Sequence, residues 1–213
     1  MPVVDALHDA PDFAIEPAAH LLAALADEFP PRTVFLAVVD PGVGTARGAM
    51  VMQADGRRFV GPDNGLLSVL WQRARARKCW RIAWRPERLT SSFHGRDLFA
   101  PVAAALAMKR VPRGWLSAQR APQVLVDARD LPQVIYIDHY GNAMTGLRVT
   151  GKAQVLALGK RKLPYARTFG EARGPFWYEN SMGLVEIAMP RGSAATGLRL
   201  RIGTAVKWQS STR

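Results

Sequence analysis

Thr33-Val34-Phe35-Leu36-Ala37-Val38-Val39-Asp40-Pro41-Gly42-Val43-Gly44-Thr45-Ala46-Arg47 is the stretch that decides how this chain folds. Thr33 to Val39 is a continuous apolar and β-branched run, which suits a strand buried on both faces. Asp40-Pro41-Gly42 ends it abruptly, because proline removes a ladder donor and glycine favours the turn. In an open α/β sheet, ligands collect at the carboxyl ends of the strands. A carboxylate at such an end, followed by a glycine-rich loop and a guanidinium, is therefore a first suspect for chemistry. Taken alone, such a loop is more often a structural turn.

Working outward, the same alternation of strand and helix continues. A helix is expected over Ala18 to Glu28 before the strand. Afterwards come a strand over Arg57 to Val60, the turn Gly61-Pro62-Asp63-Asn64-Gly65, a helix over Leu66 to Arg77 and a third strand over Cys79 to Trp84. The polar string Ser91-Ser92-Phe93-His94-Gly95-Arg96-Asp97 leads into a helix from about Leu98 to Lys109. This pattern favours an α/β layer structure. After Arg110 the breakers Pro112, Gly114, Pro122 and Pro132 mark a linker. Short β-like runs follow: Val134 to Asp138, Ala143 to Val149, Ala153 to Leu158, Leu184 to Ala188 and Ala205 to Trp208. They predict a small antiparallel barrel or sandwich. Two domains are expected, an α/β domain over 1–120 and a β-barrel domain over 121–213.

Composition narrows the class. The chain has 213 residues, 48% of them hydrophobic and 22% charged, which is the composition of a folded, water-soluble protein. Leu21 to Ala26 is far shorter than the roughly 20 apolar residues a membrane-spanning helix needs, and the start lacks a signal-peptide layout. No membrane role and a cytoplasmic location are expected. The single cysteine, Cys79, offers neither an internal disulfide nor a thiolate metal cluster, so a core position is expected for it. A net charge of +12 invites a nucleic-acid reading. Its densest cluster, Arg73, Arg75, Arg77 and Lys78, reads instead as a solvated face at the end of the second helix, where cations complement the dipole. Neither zinc-finger spacing, RNA-binding aromatics nor a recognition helix is present, so a nucleic-acid partner is not expected.

Two further segments could carry chemistry. His94 stands beside a helix start, where the dipole tends to keep an imidazole neutral. Asp138-His139-Tyr140-Gly141-Asn142 could be a tight hairpin turn, although its aromatic residue is less easily explained that way.

Taken together, these segments resemble the S-adenosylmethionine hydroxide adenosyltransferase family, relatives of the enzymes that halogenate the same substrate. The resemblance rests on Val38 to Gly44, Gly61 to Gly65, Ser92 to Asp97, Asp138 to Asn142, Glu179-Asn180-Ser181-Met182-Gly183 and Glu186-Ile187-Ala188, in the family's order. It covers essentially the whole chain. It implies an α/β sandwich followed by a small antiparallel β-barrel, a homotrimer with sites between neighbouring subunits, and hydrolysis of S-adenosylmethionine to adenosine and methionine without metal or second cofactor.

On this resemblance the water-activating triad maps onto Asp40, Arg47 and His94. Arg47 would hold water or hydroxide, Asp40 would orient Arg47, and His94 would accept or position the proton. Asp138, Tyr140 and Asn142 match the family's contacts to the methionine part and ribose, and Asn180 and Ser181 the segment near the substrate carboxylate. Backbone around Met189 to Arg191 would read adenine. Phe176 and Trp177 could stack on it, although barrel core is the commoner fate of such residues. Asp40, His94 and the lack of an extra loop between the Arg47 and His94 segments favour hydrolysis over halide transfer.

The family's opening strand and Thr-Asp-Phe-Gly type motif, whose aspartate holds the ribose hydroxyls, have no counterpart here. Val3-Val4-Asp5 and His8-Asp9 resemble the segment that follows it, so the family's N-terminal segment is expected to be missing. Two other readings stand beside the hydrolase: a non-catalytic binder of S-adenosylmethionine or adenosine, and a basic nucleic-acid module using the Arg73 to Lys78 cluster.

Overall fold

A computed structural model describes residues 2–149 and 155–209. The chain divides into two compact units, one of Asp12–Ala128 and one of Met1–Pro11 with Arg129–Arg213.

In the Asp12–Ala128 unit the elements run α1 (Ile15–Asp27), β1 (Val34–Leu36), β2 (Gly48–Ala54), β3 (Arg57–Asp63), α2 (Ser68–Arg73) and β4 (Arg77–Ile82). A π-helical turn, Gly95–Phe99, then runs directly into α3 (Ala100–Ala107), and β5 (Leu116–Gln119) completes the sheet. The strand order is β1-β3-β2-β4-β5. Only β1 and β3 are parallel; every other pairing is antiparallel. Side chains alternate across the sheet. Met50, Met52 and Phe59 join Ala18 of α1 and Trp71 of α2 on one face. Ala49, Val51, Val60 and Ile82 join Leu98, Phe99 and Val102 on the other. Helices pack on both faces, α1 and α2 on one and α3 on the other, and β2 between them is a nearly continuous buried run.

Three local expectations change. β2 was not expected, because Gly-Ala-Met-Val-Met-Gln-Ala has little β-branched character and directly follows the glycine-rich loop. Its insertion between β3 and β4 makes a mostly antiparallel sheet of the expected alternation of strand and helix. The helix expected over Leu66 to Arg77 closes at Arg73, because Ala74 is extended and the Asp55 carboxylate accepts from the Arg75 and Ala76 amides at 3.1 and 2.9 Å. Of the basic cluster, only Arg73 therefore lies on the helix, while Arg77 and Lys78 belong to β4. Cys79 is buried in the core, as expected.

The second unit contains β6 (Leu131–Ile137), β7 (Ala143–Arg148), β8 (Val155–Leu158), β9 (Arg161–Leu163), β10 (Phe176–Glu179), β11 (Leu184–Ala188), α4 (Ala194–Leu198) and β12 (Lys207–Gln209). They form two antiparallel sheets, β10-β11-β7-β6 and β12-β8-β9. Val134, Leu147 and Ile187 of the first sheet share a core with Leu156 and Leu163 of the second. The strand expected over Ala153 to Leu158 begins outside the described residues and is seen from Val155. β9 and β10 were not expected, since Arg161-Lys162-Leu163 and Phe176-Trp177-Tyr178-Glu179 lack a clean apolar–polar alternation. Among the described residues, no helix is long and apolar enough to cross a membrane.

Candidate active site

The loop after β1 folds back so that Arg47 returns to Asp40. The Arg47 Nε–H reaches both carboxylate oxygens of Asp40, at 2.9 and 3.0 Å, and Nη2 donates to Asp40 Oδ2. Nη1 donates to the Gly48 carbonyl at 3.2 Å. The guanidinium also lies over the Phe99 ring, 5.1 Å from its centroid, a cation–π contact. Both side chains are largely shielded from solvent, with 10% of Arg47 and 6% of Asp40 exposed. An ion pair in this setting is geometrically specific, because the planar fork fits a carboxylate in one orientation.

His94 completes the cluster. Its Nδ1 lies 2.9 Å from Arg47 Nη2. A guanidinium only donates, so Nδ1 must be the acceptor and the neutral ring carries its hydrogen on Nε2. A second proton on the ring would remove that acceptor. His94 caps the π-helical turn without using its side chain there. Burial, seconded by the Arg47 charge, lowers its pKa below the ordinary histidine value, against a smaller opposing effect of Asp40. The imidazole is held neutral, with Nε2–H as its free donor.

Neighbouring residues hold the two loops. Gly44 has φ +79°, and a Cβ there would lie 2.8 Å from the Ser91 carbonyl oxygen. This position needs glycine for both reasons, and it joins the Asp40–Arg47 loop to the His94 loop. Asn64 donates to the Val39 carbonyl at 2.9 Å and so fixes the strand end from which Asp40 projects. Asp97 accepts from Arg96 at 2.6 Å and from the Thr90 amide at 3.0 Å, which ties down the His94 loop and keeps its carboxyl far below the usual range. Asp63 is buried, accepting from Gln119 and the Gln123 amide at 2.9 Å each, and so serves the fold.

The other residues singled out in the sequence lie in the second unit. Asn142 donates to Asp138 twice, from its amide at 2.7 Å and from Nδ2 at 3.0 Å. The backbone closes the same turn, with Asp138 N to Asn142 O at 3.0 Å and Gly141 N to Asp138 O at 2.9 Å. Tyr140 stands at the tip, 69% exposed, its ring 3.7 Å from that of His139. Gly141 has φ +84°, and a Cβ there would lie 2.0 Å from Ser193 Oγ. Asn180 Oδ1 accepts from the Met182 and Leu184 amides at 3.0 Å each, while its Nδ2 donates to Glu186 at 2.9 Å. Ser181 is exposed beside this turn. Met189 packs against the core and pairs by backbone with Gly192, leaving Arg191 exposed at φ +56°. Phe176 and Trp177 are both buried, 1% and 3% exposed, so they serve as core.

Asp40, Arg47 and His94 are thus brought together, as are Asp138 with Asn142. Sequence reading missed three residues that hold these groups: Phe99, Asn64 and Glu186. Asn64 and Glu186 lay inside the quoted motifs but carried no assigned role. Phe99 lies just past the His94 motif, and only the π-helical turn brings its ring under Arg47. Among the described residues, no three His, Cys, Asp or Glu side chains gather as a metal site.

Residues 1–114 match the family model described as the SAM hydroxide adenosyltransferase N-terminal domain, and residues 132–207 match that of the C-terminal domain. A Thermus thermophilus protein named (R)-S-adenosyl-L-methionine hydrolase is 38% identical over 226 residues, spanning 96% of this chain and 87% of its own length. A fluorinase from Actinopolyspora mzabensis is 26% identical over 257 residues, spanning 96% and 86%. A crystal structure of an uncharacterized conserved protein from Thermotoga maritima superposes with a TM-score of 0.86 at 30% identity, covering 99% of this chain and 89% of that one.

Proposed function

The chain belongs to the S-adenosylmethionine hydroxide adenosyltransferase family, and from that premise we propose how it performs the family's reaction. It hydrolyses S-adenosylmethionine to adenosine and methionine. The oxygen of water or hydroxide forms a bond to the ribose 5′ carbon as the carbon–sulfur bond breaks. The electron pair goes to sulfur, which leaves as the neutral thioether of methionine, so the leaving group needs no acid. One proton is released overall.

The observation that carries the mechanism is the Asp40–Arg47–His94 cluster. Asp40 orients Arg47 and balances its charge. The remaining hydrogen on Arg47 Nη1 and the Nε2–H of His94 are donors suited to an anionic oxygen. Such donors favour hydroxide over water and position it for in-line attack. With Nδ1 engaged and Nε2 protonated, His94 acts here by positioning the nucleophile, and the released proton goes to solvent. Asp138, Tyr140 and Asn142 contact the methionine part and ribose. Asn180 and Ser181 serve the substrate carboxylate, and backbone at Met189 to Arg191 reads adenine. The Asp138–Asn142 and Asn180–Leu184 turns, held by side-chain hydrogen bonds, and the Met189–Gly192 turn, held by backbone, support that assignment.

The finer architecture follows the same reading: an α/β sandwich over 1–120 and a small β-barrel over 121–213. Two isolated bridges favour the barrel, Gln133 with Ala205 and Tyr165 with Trp177, because they link the free edges of the two sheets. The active assembly is a homotrimer with sites between subunits; sedimentation at working concentration tests it. Hydrolysis in ¹⁸O water tests the chemistry: label in the 5′ hydroxyl of adenosine is expected, and unlabelled adenosine would overturn attack at that carbon.

A further inference from the structure

The α3 face of the first sheet is covered unevenly. α3 packs over β1 and β3 and ends at Ala107, so the far ends of β2, β4 and β5 have no helix above them. Ala118, the register partner of Trp80, is exposed on this face. The opening is a groove of about 480 Å³ lined by Val51, Gln53, Arg58, Trp80, Leu106, Lys109, Val111 and Leu116. Its charged rim, at Gln53, lies toward the opposite end of β2 from Arg47, roughly 20 Å along the strand at the rise of an extended chain.

Its charge is one-sided. Arg58, Gln53 and Lys78 are direct register partners on β3, β2 and β4, so they form one row across the sheet at the rim. Lys109 adds a cation from the end of α3. No carboxylate lines the groove, and among the described residues Arg58, Lys78 and Lys109 form no ion pair. Below that rim the floor is apolar, with Val51 and Leu106 buried and Trp80 half-buried. A pocket of this size suits a small molecule, and an apolar floor with unpaired cations on one side suits an amphipathic one.

We propose that this groove is a second binding site, distinct from the catalytic cluster, for a small organic anion with an apolar body and a single carboxylate, phosphate or sulfonate head. The body lies on Val51, Trp80 and Leu116, and the head meets Arg58 and Lys109, with Lys78 beside them. Charge complementarity favours this occupant over an uncharged one or a cation.

The probe is 8-anilinonaphthalene-1-sulfonate, whose fluorescence reports binding to the intact protein. Saturable one-to-one binding is expected, weakened about tenfold or more in the double variant Arg58→Glu, Lys109→Glu, by loss of two charge-assisted contacts. Hydrolysis by that variant should be unchanged. Decanoate and adenosine monophosphate distinguish an aliphatic from an aromatic occupant by which displaces the dye, and inorganic phosphate should displace neither. Dye binding that ignores the charge reversal would overturn the proposal, as would displacement by S-adenosylmethionine. Dissociation of an oligomer on charge reversal, without any saturable dye site in the native protein, would overturn it too and assign the face to a second copy.

Discussion

Arg47 Nη2 donates to His94 Nδ1 at 2.9 Å, and because arginine cannot accept, this one contact fixes which nitrogen of His94 carries the hydrogen. The geometry is that of an anion holder: a guanidinium locked by a carboxylate, beside an imidazole whose free nitrogen is a donor. A general base would need that nitrogen bare.

His94 should therefore titrate below the ordinary histidine range, because burial and the Arg47 charge both oppose its protonation. As pH falls through about 6.5, an unfolded chain takes up the proton before the folded one does, so this group costs the folded state stability there and contributes nothing above it. Nitrogen-15 NMR should show the Nε2–H tautomer at neutral pH. Nδ1–H as the dominant form, or an imidazolium persisting at pH 7, would contradict the assignment.

Gly44→Ala should cripple the enzyme without touching a reactive group. The added methyl meets the Ser91 carbonyl oxygen at 2.8 Å in a left-handed conformation, so the Asp40–Arg47 and His94 loops must separate. Misplacement on that scale costs roughly 100-fold in turnover, with about 1 kcal/mol or more of stability. Steady-state kinetics with a denaturant melt checks both. Unchanged kcat would mean that the loops do not depend on this contact.

Glu186 separates charge from shape in the second unit. It is buried, accepting from Tyr178 at 2.6 Å and from Asn180 at 2.9 Å. Removing it leaves two polar groups unpaired, so Glu186→Ala should lose about 3 kcal/mol in denaturant unfolding. Glu186→Gln should keep most of the shape and cost less. Because Asn180 shapes the turn carrying Ser181, both changes should raise KM more than they lower kcat; a pure kcat effect would dissociate this turn from substrate binding.

The legible parts of this molecule were those whose residues carry two signals at once. Ile15–Asp27 combines helical spacing with alanine-rich propensity, and Leu184–Ala188 is an apolar run bounded by turn residues, so both were read close to their ends. Asp40 was legible because it follows an apolar run, His94 because it precedes a helix, and Arg47 because it ends the glycine-rich loop that Asp40 begins. Gly48–Ala54 was not, since methionine and alanine have no strand preference and only pairing on both sides makes a strand of them. Phe99 was invisible for a related reason. Its place under Arg47 depends on the wider spacing of a π-helical turn, which no apolar periodicity announces.

The most direct test of the central claim is chromatography of S-adenosylmethionine incubated with the native chain, with Arg47→Ala and with Arg47→Lys. Native protein should release adenosine and methionine in equal amounts. Arg47→Ala should lose about 1,000-fold, and Arg47→Lys should recover little, because lysine keeps the charge but not the fork that meets Asp40 and His94 together. Adenosine formed by folded Arg47→Ala at the native rate would contradict the account.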